Sequence, residues 1–295
     1  MRNSILLILL FCLLAGCEKA IEFKLKQAQP TLSVDATIET NQDPLVILTS
    51  SLNYFSRITP EVLSKSVIKD AIVTISDGTI THRLLRYDIL LPGGIPFSFY
   101  SSDPSSPQTI IRGSEGKQYS LHIEWEGKNY TAATSIPLLK KTIDSIWWES
   151  IPGLPDTSSR VFLKARVTDP PGFGNYIRYF TKVNQGAFLP GLNSVFDDLL
   201  INGITYDVTV DRGVDRNQEL QFEEYGYFHK GDTVTLKFSN IDKATFEFWR
   251  TTEFSYQSIG NPFSSPTKIQ GNISNGALGY FGGYANQFKS LIIPR

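Results

Sequence analysis

The stretch TLSVDATIET, residues 31 to 40, sets Leu32, Val34, Ala36 and Ile38 alternately with Ser33, Asp35, Thr37 and Glu39. A period of two puts all four apolar side chains on one face of a strand, and a chain that repeats the pattern is committed to sheets with one buried face. It does repeat. AIVTISDGTITHRL (71–84) carries the alternation on both sides of Asp77-Gly78, a pair that tolerates positive φ and so suits a hairpin turn. In YSLHIEWEGKNYTAATSI (119–136), Tyr119, Leu121, Ile123 and Trp125 share one face ahead of a turn near Gly127. These segments predict an immunoglobulin-like antiparallel sandwich over residues 28–137, interrupted by long loops at 53–66 and 88–112.

After Pro137, LLKKTIDSIWWES reads as a connector into a new strand, with Lys140 and Lys141 exposed, and the domain boundary falls within it. Alternation resumes in VFLKARVTD, NYIRYFTKV, GITYDVTV and DTVTLKFS, and Asn202-Gly203 reads as a further hairpin turn. Residues 138–295 are therefore expected to form a second, β-rich domain. One helix interrupts it: Asn240 or Asp242 serves as N-cap, and Ile241, Ala244, Phe248, Tyr256 and Ile259 fall near a spacing of about 3.6 residues. An aromatic content of 12% with a single Met agrees with strand rather than helix. The expected class is mostly β, with two β-sandwich-like domains and one notable helix in the second.

The chain begins differently. Ile5 to Leu14 is almost wholly apolar and follows Met1-Arg2, but it falls short of the roughly 20 residues that a spanning helix needs. It reads as the core of a secretory signal. Leu14-Ala15-Gly16-Cys17 then places two small residues before a cysteine, the pattern at which a lipoprotein signal is cut after the thiol is acylated. Residues 1–16 leave, Cys17 becomes the lipidated first residue, and 17–27 form a linker. Each buried CH₂ of the acyl chains adds about 0.8 kcal/mol of partitioning, so the lipid alone holds the protein to a membrane. Of the two cysteines, Cys12 departs with the signal and Cys17 is taken by lipid, so core packing has no disulfide to help it.

The residues offer little catalytic chemistry. His82, His122 and His229 lie far apart in sequence, without metal-ligand spacing, and read as surface or rim residues. In DRGVDRNQE, Asp211, Asp215, Asn217 and Glu219 are near enough to collect oxygens around calcium, but the spacing and glycine of a helix-loop-helix calcium site are missing, and a solvated hairpin tip is the simpler reading. Asp197-Asp198 and Glu223-Glu224 point to opposite faces as strand neighbours and read as surface charge. No Gly-x-Ser-x-Gly elbow is present. With 27 Lys and Arg against 29 Asp and Glu after Arg2 leaves, there is no basic stripe for nucleic acid. No catalytic set, metal set or cofactor is expected. GALGYFGGYANQF (276–288) fits either a closely packed β-edge or an exposed aromatic surface built from Tyr280, Phe281 and Tyr284; with Tyr54 and Phe55 at the start of a long loop, these are the candidate binding residues.

The ordered set CEKAIEF, PTLSVDATIE, PLVILTSSLNYF, VIKDAIVTISDG, GKQYSLHIEWEGKNYTAATSIP, FDDLLINGITYDV, KGDTVTLKFSNIDKATFEFW and NPFSSPTKIQGNISNGALGYFGGYA resembles the Bacteroidota lipoproteins grouped as domain-of-unknown-function family 4249. The resemblance covers nearly the whole mature chain. It implies an outer-membrane lipoprotein of two β-rich domains, facing the cell surface rather than the periplasm, often encoded beside a TonB-dependent transporter and without an established activity. The expected role is that of a non-enzymatic accessory or binding partner of such a transporter. A hydrolase acting on exported polymers, or a structural or adhesive surface module, stands as the alternative.

Overall fold

The structure is a computed structural model that describes residues 30–52, 60–91, 94–155, 157–218, 220, 223–259 and 267–295. Cys17, Tyr54 and Phe55 lie outside them. The described chain is mostly β, and none of its helices is long and apolar enough to cross a membrane.

One sheet of eight strands runs through the molecule. Across it stand, in order, β12 (Leu189–Phe196), β11 (Tyr176–Val183), β15 (Thr233–Ile241), β16 (Leu278–Ile292), β1 (Leu32–Glu39), β2 (Leu45–Ser50), β6 (Ile95–Ser101) and β5 (Leu85–Leu91). Two smaller sheets pack on one of its faces. The first is β4 (Thr81–Arg83), β3 (Ile72–Ser76), β7 (Gln118–Trp125) and β8 (Lys128–Ser135). The second is built on β10 (Arg160–Thr168), with β9 (Thr142–Ser150) on one edge and β13 (Thr205–Val210) and β14 (Phe228–His229) in tandem on the other. Each facing pair of sheets encloses a core. Leu32, Val34, Ile38 and Val46 meet Val73, Ile75, Leu121 and Ile123 in the first, and Ile177, Leu236 and Phe238 meet Leu163, Ala165 and Val167 in the second.

The strand that joins the two sandwiches is β16. Its first half pairs parallel with β1, from Ser33↔Leu278 to Glu39↔Tyr284, and its second half pairs antiparallel with β15, from Asn240↔Ala285 to Thr233↔Ile292. Fifteen residues at about 3.3 Å each carry it roughly 50 Å. Phe281 and Ala285 therefore complete the first core while Leu291 packs on the second, although all three come from the C-terminal end. The parallel approach is close: a Cβ on Gly279, whose φ is +99°, would stand 1.8 Å from the Val34 carbonyl oxygen. The predicted boundary near residue 138 divides the two small sheets, while the long sheet draws strands from both sides of it.

The even-numbered residues of β16 face the other way, and Tyr280 and Tyr284 among them meet α2 (Lys243–Gln257). α1 (Pro60–Ser66) is short and lies within the segment expected as the first loop. Asp242 caps α2 by accepting from the Thr245 N–H. Its buried residues are Thr245, Phe246, Phe248 and Glu253, so the stripe is offset from the one expected; Ala244 and Ile259 face solvent. Phe248 stacks on Tyr280 at 4.4 Å, and the Trp249 indole donates to the Tyr284 hydroxyl at 2.8 Å. Tyr280, Phe281 and Tyr284 are consequently buried, in a central strand rather than an edge. Each contributes about 1.5–3 kcal/mol of burial, and none is available as a surface contact.

Five more expectations are corrected. The second loop holds the hairpin β5–β6. Asn202-Gly203 does not close a hairpin, because β12 and β13 belong to different sheets. Lys141 is buried, with its ammonium 3.1 Å from Asp169 and its backbone held on both sides by the Asn240 amide. Asp198 and His82 are buried too: Asp198 accepts from the Gly174 and Asn175 N–H groups, and His82 joins Thr109 Oγ1 to the Asp103 N–H.

Candidate functional site

The second sandwich does not close along one side. There the edges of its two sheets are β12 and β13, and the alternation of each strand decides what lines the gap. Tyr206, Val208 and Val210 of β13 stand opposite Val167, Ala165 and Leu163 of β10, so all three point inward. From the long sheet Ile177, Tyr179, Leu236 and Phe238 point back at them, and Phe196 of β12 shares the face of its partner Ile177. These side chains, with Ile201 from the β12–β13 connection, enclose a cleft of about 290 Å³. An engineered apolar cavity of about 150 Å³ takes up benzene with space to spare, so this one, open at its mouth and nearly twice as large, has room for a ligand of two or three rings.

The cleft reaches the surface through its own lining. Phe196 is 48% exposed and Val208 37%, although both belong to inward-facing rows. Leu199, Leu200 and Ile204, on the connection between the same two strands, are exposed beside them. An open mouth rimmed by apolar side chains is the usual form of a site for an apolar ligand.

Polar groups are few, and the lining holds two carboxylates, Asp197 after β12 and Asp211 after β13. Asp211 follows β13 into the lining, and the Tyr225 hydroxyl donates to its Oδ2 at 3.0 Å. Burial raises the Asp211 carboxyl above the ordinary carboxylate range, a shift the Tyr225 hydrogen bond opposes. Burial also raises the phenols of Tyr179 and Tyr225, and the Asp211 charge adds to both shifts, so each phenol stays a neutral donor. Tyr179 stacks on Phe196 at 6.2 Å and sets its hydroxyl over Gly191, where a Cβ would come within 2.0 Å of that oxygen. Glycine is required there.

Glu219 lies outside the described residues, and Asp211, Asp215 and Asn217 do not gather their oxygens at one point. Asp211 turns to Tyr225, while Asp215 accepts from the Asn217 backbone and from the side chains of Asn217 and Gln218, forming its own turn. Among the described residues no group of three or more His, Cys, Asp or Glu is placed to hold a metal ion. A second polar cluster lies under α2. The Arg178 guanidinium sits 3.4 Å over the Trp249 ring and donates to Ser194, and Glu253 accepts from the Ser194 N–H and from Arg216. These bonds clamp the helix to β11 and β12 and leave Arg178, Ser194 and Glu253 buried, with Arg216 at the rim.

The family model described as domain of unknown function (DUF4249) matches residues 18–290. The chain belongs to the DUF4249 family. No curated protein matches it. The DUF4249 match takes in every strand of the cleft and both halves of the β1–β16 junction.

Of the residues singled out from sequence, Asp197 and Asp211 fall at the cleft. Its other lining residues belong to strands that the alternation identified, in GITYDVTV and NYIRYFTKV. What the alternation lacked was any sign that two of those strands would be facing edges.

Proposed function

We propose that this DUF4249 protein is an outer-membrane-anchored lipoprotein whose work is recognition rather than turnover. It holds a small, largely apolar ligand bearing one hydrogen-bond donor, as an accessory to a TonB-dependent transporter at the cell surface. The observation that carries this reading is the cleft between β12 and β13: apolar along most of its length, open through Phe196 and Val208, with Asp211 as a half-buried carboxylate and Asp197 already accepting from the Leu199 N–H. The small residues before Cys17 support the anchor, and the resemblance described above supports the transporter. A ligand with one aromatic group the size of an indole buries about 150–250 Å² of surface, worth roughly 4–6 kcal/mol, so a Kd between about 1 mM and about 0.04 mM follows.

The test uses N-phenyl-1-naphthylamine, a neutral fluorophore of three rings, two of them fused, with one N–H, titrated into residues 18–295. Saturable, one-to-one enhancement is expected, with loss in Val208→Trp, whose indole fills the mouth from an already exposed position. Enhancement that never saturates, or equal binding by a folded Val208→Trp protein, would overturn the reading.

A further inference from the structure

The hairpin β5–β6 runs past its pairing with β2, with α1 against β6. β6 pairs with β2 at Val46↔Tyr100, after which Val67 takes the next place on the β2 edge, opposite Thr49. Beyond that point the two hairpin strands pair only with each other among the described residues, from Tyr87↔Phe99 to Leu91↔Ile95. A two-stranded ribbon is marginal in water unless its apolar face finds cover. Its exposed apolar side chains stand on both faces toward the tip: Ile89 and Leu85 are 44% and 45% exposed on one, and Leu90 is 74% exposed on the other, which nearer the body carries the Arg86–Asp88 ion pair. Tyr87 stacks on Phe99 at 5.4 Å just behind the tip. From Ile89 to Phe97 the sequence ILLPGGIPF holds no charge.

Strand direction says what this tip faces. β1 and β6 are both antiparallel to β2, so they run the same way, and the tip points to the end of the sheet where β1 begins. Tyr100 is level with Val46, which pairs Ala36; counting back, Ile95 comes level with Thr31, the residue before β1. That is where the chain arrives from Cys17. Residues 18–31 span at most about 50 Å when fully extended, and usually much less. Meanwhile β16 runs away from this end, so the cleft lies in the opposite half of the molecule.

We propose that the β5–β6 tip is a second membrane contact, seated in the interface of the phospholipid leaflet that holds the acyl chains. The proposal rests on the lipid-anchor reading. Leu90 and Ile89 enter the acyl boundary and Tyr87, Phe97 and Phe99 lie at headgroup depth, where aromatic rings are favoured. The anchor supplies the local concentration that makes a small contact effective, and the contact fixes orientation, holding the cleft away from the bilayer.

Residues 18–295 contain no cysteine, so a single one is cleanly labelled. Leu90→Cys and, at the far end, Gln185→Cys each carry an environment-sensitive nitrobenzoxadiazole dye and are held by an N-terminal hexahistidine tag, in place of the acyl chains, to vesicles of phosphatidylethanolamine and phosphatidylglycerol doped with a nickel-chelating lipid. A blue shift with a several-fold rise in emission is expected at position 90 and none at 185. No change at 90, or the same change at both, overturns the proposal. Because these chains lack Cys17, failure here leaves the anchor untouched; palmitate labelling of the full chain, lost in Cys17→Ser, reports the anchor alone.

Discussion

Replacing Lys141 by Met removes a charge and keeps the aliphatic stem. The side chains of Lys141 and Asp169 are 1% and 0% exposed, with Nζ 3.1 Å from Oδ1 and 5.6 Å from the Tyr206 ring. At an effective dielectric of about 20 that separation is worth roughly 5 kcal/mol of attraction, most of which offsets the cost of taking both ions out of water. The intact pair is close to neutral in its effect, but half of it is not. In Lys141→Met the Asp169 carboxylate keeps only the Gly203 N–H, 3.1 Å from Oδ2, and about 3–5 kcal/mol of stability is lost. At about 2–4 °C per kcal/mol for a chain of this size, the melting temperature falls by about 10 °C. The double variant Lys141→Met, Asp169→Asn keeps an acceptor for Gly203 and removes the stranded charge, so it recovers most of the loss. Thermal melts by circular dichroism at neutral pH decide it. A single variant within about 2 °C of the parent, or a double variant no better than the single, would refute the buried-pair argument.

His82 is buried as the neutral ring, and burial lowers its pKa from 6.5. The unfolded chain therefore binds a proton that the folded chain refuses: stability is fully present above about pH 6.5 and lost as pH falls below it. Urea midpoints at pH 7.5 and 5.5 are expected to drop more for the parent than for His82→Gln, and equal drops would count against the burial argument. A chain ending at residue 137 lacks the parallel partner of β1 together with Phe281 and Ala285, so it is expected to show no cooperative melt; a sharp transition from that fragment would mean the β1–β16 pairing is dispensable. In cells, Cys17→Ser is expected to lose palmitate labelling, and combined with Leu90→Asp to move to the soluble fraction. Labelling that persists in Cys17→Ser would place the lipid elsewhere.

The strands of the first sandwich were legible because their faces differ: Leu32 to Ile38, Val73 and Ile75, and Tyr119 to Ile123 alternate as they are buried. So was the start of α2, since Asp242 stands where a cap is needed. The hairpin β5–β6 carries the same alternation in Leu85, Tyr87 and Ile89, but Pro92-Gly93-Gly94 and Pro96 gave it the composition of a loop. The β12 strand, LPGLNSVF, is irregular where it pairs with β11, and its glycine serves Tyr179 rather than a turn. Lys141, Asp198 and His82 were misread for one shared reason. A polar side chain is buried when a partner waits for it, and their partners, Asp169, Asn175 and Asp103, are brought near by the fold and not by local spacing. The cleft was hidden on the same account, because an inward row on β13 signals a site only once the β12 edge stands across from it.

The claim that a ligand enters the cleft of the second sandwich is tested most directly by methyl-labelled NMR of residues 18–295 during titration with N-phenyl-1-naphthylamine. Shifts are expected at the methyls of Val167, Ile177, Val208, Val210 and Leu236, while Val34, Val73, Ile75, Leu121 and Ile123 in the first core stay in place. Unmoved cleft methyls at saturating ligand, or shifts centred on the first sandwich or on the β5–β6 hairpin, would contradict it.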